Sequence, residues 1–343
     1  MPNPTLTEAI DRLAGHQDLS ADEAARVLHE LMAGSASDAQ AAAFLIALRT
    51  KGETVQEITG LARTMRELAL PVDAGGELVD TAGTGGGCPT FNVSTTAAFI
   101  AAAAGCRVAK HGNRSATSRC GSADVLEALG ARIDLEPAAV ADCIESVGFG
   151  FMFAPLHHGA MRHVVPLRKE LGVRTIFNFL GPLTNPAGAR RQVIGVSDPR
   201  FLETMAAALR ELGTESALVV SSLDGLDEFS VSGATRVVEL KAGGLESYEV
   251  TPEQVGLERA ADAAVGAGSP ADNAEVLRSV LGGSPGVERS LAALNAGAAI
   301  YVGARADSIE AGVRLAEQAI DSGAAADVAE RFVARTRELG VAA

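Results

Sequence analysis

The sequence predicts an α/β protein: a small N-terminal all-helical domain, then a larger α/β domain with a central, mostly parallel sheet flanked by helices. Three observations carry this. Before Pro71 the chain is punctuated as helices; after it, short β-prone runs alternate with helical stretches; from Pro270 onward several helices follow one another.

In the first segment, Thr5-x-x-Glu8, Ser20-x-x-Glu23 and Thr54-x-x-Glu57 each fit a capping box, in which a hydroxyl satisfies an orphan N–H and the glutamate reaches back. Ser37-Asp38 opens a further helix, and Gly15, Gly34, Gly52 and Pro71 supply the stops. Val27, Leu28 and Leu31, then Phe44, Leu45 and Leu48, recur at helical spacing, so four short amphipathic helices are expected. Beyond Pro71 the candidate strands are Glu77–Asp80, Arg107–Lys110, Phe149–Phe153, Gln192–Val196, Ala217–Ser221 and Arg236–Leu240. Helical patterns such as Val140–Val147 and Phe201–Leu212 follow several of them.

Composition bounds the function. With 343 residues the chain can bury a sizeable core. Its 43 acidic against 29 basic side chains give a net charge of −14, which argues against nucleic acid or an anionic membrane as a partner. A small anion remains possible where cations gather locally. The opening MPNPTLTEAIDRL lacks a basic start followed by an apolar core, and the run Ala97–Gly105 is too short to span a bilayer, so the cytoplasm is expected. Cys88, Cys106, Cys120 and Cys143 form no C-x-x-C pair and suggest neither a disulfide framework nor zinc; Cys106 and Cys143 read as core.

Three stretches carry chemistry. DTAGTGGGCPTFNVSTTAAFIAAAAG (Asp80–Gly105) reads as a strand, a glycine loop and a helix beginning near Ser94, an arrangement whose bare backbone N–H groups and helix dipole cradle phosphate. It is neither a Walker loop nor G-x-G-x-x-G. KHGNRSATSRCGSAD (Lys110–Asp124) leaves the next strand with Lys110, His111, Asn113, Arg114 and Arg119 and reads as a local anion site, since ligands bind beyond the carboxyl ends of parallel strands. VVSSLDGLDEFS ends in Asp224, Asp227 and Glu228, carboxylates suited to Mg²⁺ beside phosphate. The cluster LHHGAMRH (His157, His158, His163) lacks H-E-x-x-H and reads as structural or as a substrate rim.

GTGG at Gly83–Gly86, TFNVST at Thr90–Thr95, KHGNRS at Lys110–Ser115, GSADVLEALG at Gly121–Gly130, FNFLGPLTNP at Phe177–Pro186 and DGLDE at Asp224–Glu228 occur in one order. In these motifs, and over nearly its whole length, the chain resembles the anthranilate phosphoribosyltransferases.

The resemblance implies transfer of a phosphoribosyl group from 5-phospho-α-D-ribose 1-diphosphate to the amine of anthranilate, releasing pyrophosphate, in tryptophan biosynthesis. It implies two Mg²⁺ ions and a homodimer formed through the helical domain. The sugar diphosphate would be held by Gly83, Gly86, Gly87, Thr90, Asn92, Val93, Ser94 and Thr95, by Lys110, His111, Gly112, Asn113, Arg114, Ser115, Ala116, Thr117 and Ser118, and by Ser122. Ser94 with Glu228 would ligate one magnesium, and Asp227 with Glu228 a second. Gly83, Asn113, Arg168, Gly181 and Pro182 would receive anthranilate; from residues alone, Arg162 and Arg174 are alternatives to Arg168. Lys110, Asn113, Arg168, Asp227 and Glu228 would carry catalysis, with His111 orienting a neighbour or assisting a proton transfer. The implied domains are 1–72, joined by roughly 172–188, and 73–343. One departure stands out: the family reads GTGGD and three residues before the threonine, whereas here GTGGG is followed only by Cys88 and Pro89.

Such a reaction needs a leaving group stabilised as it gains negative charge, which magnesium and the Lys110 loop can do electrostatically. The aromatic amine is a weak base, so positioning supplies much of the rest. Two rivals are a pyrimidine nucleoside phosphorylase and a non-catalytic, nucleic-acid-binding paralogue. The first predicts no Mg²⁺ dependence and the second a basic groove.

Overall fold

The computed structural model describes residues 1–115, 119–262, 266 and 268–341. The helical region comprises α1 (Pro4–Ala14), α2 (Ala21–Met32), α3 (Asp38–Lys51) and α4 (Val55–Glu67). Ser20 and Thr54 form the expected capping boxes with Glu23 and Glu57, and Ser37 caps α3 by accepting from Gln40 N. The Thr5–Glu8 box does not form. Asn3 is the N-cap instead and Pro4 the first helical residue, where a missing N–H costs nothing and the ring presets φ, so the helix starts upstream of Thr5.

Seven strands form one sheet: β1 (Val79–Gly83), β2 (Val108–Gly112), β3 (Phe149–Phe153), β4 (Arg191–Gly195), β5 (Ser216–Ser222), β6 (Thr235–Lys241) and β7 (Gly244–Val250), in the order β3-β2-β1-β4-β5-β6-β7. The pairings from β3 through β5 are parallel; β6 and β7 are antiparallel. β7 is not among the strands expected from sequence. It is an edge strand with mostly exposed side chains, so it lacks the apolar signature of the buried ones.

The remaining helices are α5 (Val93–Ala103), α6 (Ser122–Leu129), α7 (Pro137–Val147), α8 (Ala154–His157), α9 (Val165–Leu171), α10 (Phe177–Leu183), α11 (Leu202–Glu211), α12 (Pro270–Leu281), α13 (Val287–Val302), α14 (Ile309–Asp321) and α15 (Ala324–Val341). Two cores result. One lies against the face covered by α5 and α13, whose alanine-rich surfaces approach closely, and includes Phe99 stacked on Phe149 at 4.3 Å with Phe332 edge-on. The other joins α1–α4, α10 and α11 to Ile194, Val219, Val238 and Leu240 of the sheet and to Val196 just beyond β4. The N-terminal helices therefore share a core with one sheet face. Chain order reverses between β1 and β4, which pair Gly83 with Gly195, and that switch point opens a crevice beyond their carboxyl ends.

Candidate active site

The three chemistry-bearing stretches meet at this crevice. Gly85 N donates to Asp227 Oδ2 at 2.8 Å, Thr90 Oγ1 donates to Glu228 Oε2 at 3.0 Å, and Lys110 Nζ donates to Ser94 Oγ at 3.2 Å. The close approach explains the glycines. A Cβ on Gly83 or Gly87 would lie 2.8 Å from an Asp227 carboxylate oxygen, and one on Gly195 would collide with Asp227 O. Cys88 N bonds Gly225 O at 2.9 Å, so the shortened GTGGG loop lies directly on the DGLDE turn, and at Gly87 no side chain fits without a shift.

Lys110 is 1 % exposed, and its ammonium also donates to Thr81 O at 2.5 Å and Thr81 Oγ1 at 3.3 Å. Burial lowers its pKa to about 8, although Asp80 and Glu228 favour the charged form. Asp80, equally buried, accepts from Asn185 Nδ2 at 2.7 Å and His111 N at 3.2 Å. Arg114 donates to Asp124 (2.8 Å) and Glu127 (2.5 and 2.9 Å) and lies over the Phe153 ring. Of the cations expected to form a local anion site, Lys110 is turned inward, Arg114 is paired with carboxylates, and Arg119 is exposed. Ala116, Thr117 and Ser118 lie outside the described residues.

Around the start of α5, Asn92 is the N-cap but makes no side-chain cap; its Nδ2 donates to Cys120 O at 3.4 Å and its Oδ1 accepts from Cys120 Sγ at 3.1 Å, tying the helix to the β2 loop. Val93 and Thr95 are fully buried, and Thr95 Oγ1 has no partner among the described residues. Asn113 is exposed; its Oδ1 accepts from Arg114 N, and its carbonyl accepts from Ser122 Oγ. Ser122 Oγ fills the space that a Cβ on Gly112 would need, and Ser115 N reaches Asp124 Oδ2 at 3.4 Å.

The carboxylates divide by environment. Asp224, one of the three carboxylates read as suited to Mg²⁺, is held by serine hydroxyls of its own turn. Burial pushes its carboxyl up, but hydroxyls of Ser222 and Ser230 (both 2.5 Å) and of Ser232 outweigh that and leave it lowered. Asp227 is raised by burial, and Glu228 is raised to about 8 by burial and by Asp227. Two adjacent carboxylates whose charged forms are disfavoured fit a divalent cation, which would reverse both penalties. Among the described residues no group of three or more His, Cys, Asp or Glu could hold a metal alone. The set therefore suits an ion completed by water and phosphate oxygen.

On the facing wall, His111 Nδ1 meets Gly181 O at 3.3 Å, joining the end of β2 to α10, and a Cβ on Gly181 would meet nothing within 4 Å. Burial lowers His111 to about 3, so at neutral pH its ring is uncharged and orients α10 rather than serving as an acid. Pro182 is buried inside α10, and its carbonyl accepts from Gln192. The three arginines separate. Arg162 donates to His163 Nε2, Arg168 lies 5.6 Å over the Phe177 ring at the start of α10, and Arg174 reaches the glycine loop.

A phosphate-type loop at a switch point beside two adjacent carboxylates suits an enzyme that handles a metal-bound phosphate ester, and the matching family narrows this to a glycosyltransferase. Residues 7–69 match the helical bundle domain, and residues 75–326 the a/b domain, of the glycosyl transferase family. The chain is 55 % identical over 97 % of its length to the anthranilate phosphoribosyltransferase of Rubrobacter xylanophilus, covering 98 % of that protein. The one from Halorhodospira halophila is 51 % identical over 97 % of this chain and 99 % of its own. The Thermus thermophilus enzyme has a similar crystal structure (TM-score 0.90, 46 % identity, 96 % of this chain and 99 % of that one). So does the Saccharomyces cerevisiae enzyme in complex with PRPP and Mg (TM-score 0.88, 26 % identity, 97 % and 98 %). The chain belongs to the anthranilate phosphoribosyltransferase family.

Proposed function

We infer that the protein transfers the 5-phosphoribosyl group of 5-phospho-α-D-ribose 1-diphosphate to the amine of anthranilate with release of pyrophosphate, a step of tryptophan biosynthesis. The observation that carries this is the meeting of Gly85 with Asp227 and of Thr90 with Glu228 at the β1/β4 switch point, in a chain of this family. Asp227 and Glu228, with Ser94, would hold Mg²⁺, which when bound neutralises charge on the departing diphosphate. The loop of 83–95 would cradle that diphosphate with backbone N–H groups and the α5 N-terminus. Lys110 holds Ser94 and places a buried positive charge beneath the loop. Asn113 and Arg168 would fix anthranilate against Gly83, Gly181 and Pro182, so that positioning replaces a dedicated nucleophile.

A phosphorylase reading gives these paired carboxylates no metal to hold, and a nucleic-acid-binding reading meets a net charge of −14. None of the four cysteines forms a disulfide among the described residues, as suits a reducing cytoplasm. No described helix is long and apolar enough to cross a membrane. The helical part (1–72 with 172–188) would pair two copies; apolar Ile46 of α3 and Val165 of α9, on helices in contact, are left exposed. Sedimentation as a monomer at micromolar concentration would remove the dimer.

The test of function follows loss of anthranilate fluorescence with the sugar diphosphate and Mg²⁺. Wild type should turn over, and an Asp227→Ala, Glu228→Ala double variant should fall by about a hundredfold or more. Unchanged turnover in that variant would remove the metal assignment, and an inactive wild type would remove the function.

A further inference from the structure

The proposed function gives Arg174 no role, yet its contacts are specific. Its Nη2 donates to Gly85 O at 2.6 Å and its Nη1 to Ser197 Oγ at 3.1 Å. Ser197 N in turn donates to Thr84 Oγ1 at 3.1 Å, and Thr84 N to Gly195 O at 2.8 Å. Gly86 has φ +81°, and a Cβ there would collide with Arg174 Nη2; the guanidinium occupies the space a side chain would need.

Gly85 is gripped at both of its backbone polar groups. Its N–H is held by Asp227 Oδ2, and its carbonyl is held by Arg174. A carbonyl oxygen facing a diphosphate would repel it, and an arginine fork that captures the carbonyl leaves the loop presenting N–H groups and positive charge instead. Arg174 also stands between α9 and α10, in the connector that leads to Gly181 and Pro182. One side chain thus ties the loop proposed for the sugar diphosphate to the segment proposed for the acceptor.

We propose that Arg174 is a positioning residue for the sugar diphosphate, holding the Gly85–Gly86 peptide in the orientation that receives an anion; this rests on the function inferred above. The effect should fall on one substrate. In Arg174→Ala, KM for the sugar diphosphate should rise roughly ten- to hundredfold, the loss of a charged hydrogen bond, while KM for anthranilate stays within about twofold. Arg174→Lys, a point charge that cannot span Gly85 O and Ser197 Oγ together, should lie between the two, and Ser197→Ala should show a smaller rise. Amide hydrogen exchange across residues 83–88 should quicken in Arg174→Ala without ligand, with the melting temperature little changed because Arg174 is exposed. An unchanged KM for the sugar diphosphate, or equal rises for both substrates with unaltered exchange, would overturn the proposal. A wild type that transfers nothing would take the function with it, whereas an active wild type matched by Arg174→Ala removes this inference alone.

Discussion

Buried and half-buried titratable side chains give the site its character. Lys110 and Glu228 are each moved towards neutrality by burial, and each is kept near a partner of opposite sign. The histidines behave differently. Burial lowers His111 to about 3 and His158 to about 4; their rings stand 5.1 Å apart, and the Nε2 atoms of both find no partner among the described residues. Both folded pKa values lie below the ordinary 6.5, so the unfolded chain binds more protons as pH falls. Their contribution to stability is therefore fully present above pH 6.5 and is lost as pH falls towards about 4 for His158 and about 3 for His111, by about 2 kcal/mol for each at pH 5. Glu228, raised to about 8, acts in the opposite sense over the same window, so the test compares variants: between pH 7 and pH 5, thermal melts of His158→Gln should show a smaller drop, or a larger gain, than wild type. The same change in wild type and variant would contradict the account.

At the scale of elements, legibility follows from how local the cause is. Phe149–Phe153 is readable to the residue because a strand buried on both faces is apolar throughout. β1 and β2 run further than expected, to Gly83 and Gly112, because residues that look like loop still pair in register with Gly195 and Phe153. The helix caps at Ser20, Ser37 and Thr54 are local and legible; the start of α1 goes to Pro4, a stronger local signal than the Thr5–Glu8 pattern. Among site residues, the Asp227–Glu228 pair and the glycine loop stand out by residue type. The capture of Asp224 by three serines, the pairing of Arg114 with Asp124 and Glu127, and the reach of Arg174 to Gly85 do not. The first two depend on how a short loop curls back on itself and the third on a partner 89 residues away, and residue type along the chain reveals neither.

For the whole molecule, the switch point between β1 and β4 makes three distant stretches into one site, and the N-terminal helices add α10 as a wall by sharing a core with the sheet. The central claim is that this site grips a diphosphate together with Mg²⁺ through Asp227 and Glu228. Calorimetric titration of the full-length protein with inorganic pyrophosphate, with and without Mg²⁺, tests it most directly. The account predicts binding that requires Mg²⁺ and weakens at least about tenfold in Glu228→Gln, a loss on the order of 1.4 kcal/mol. Equal affinity without the metal, or an unaffected variant, would contradict it.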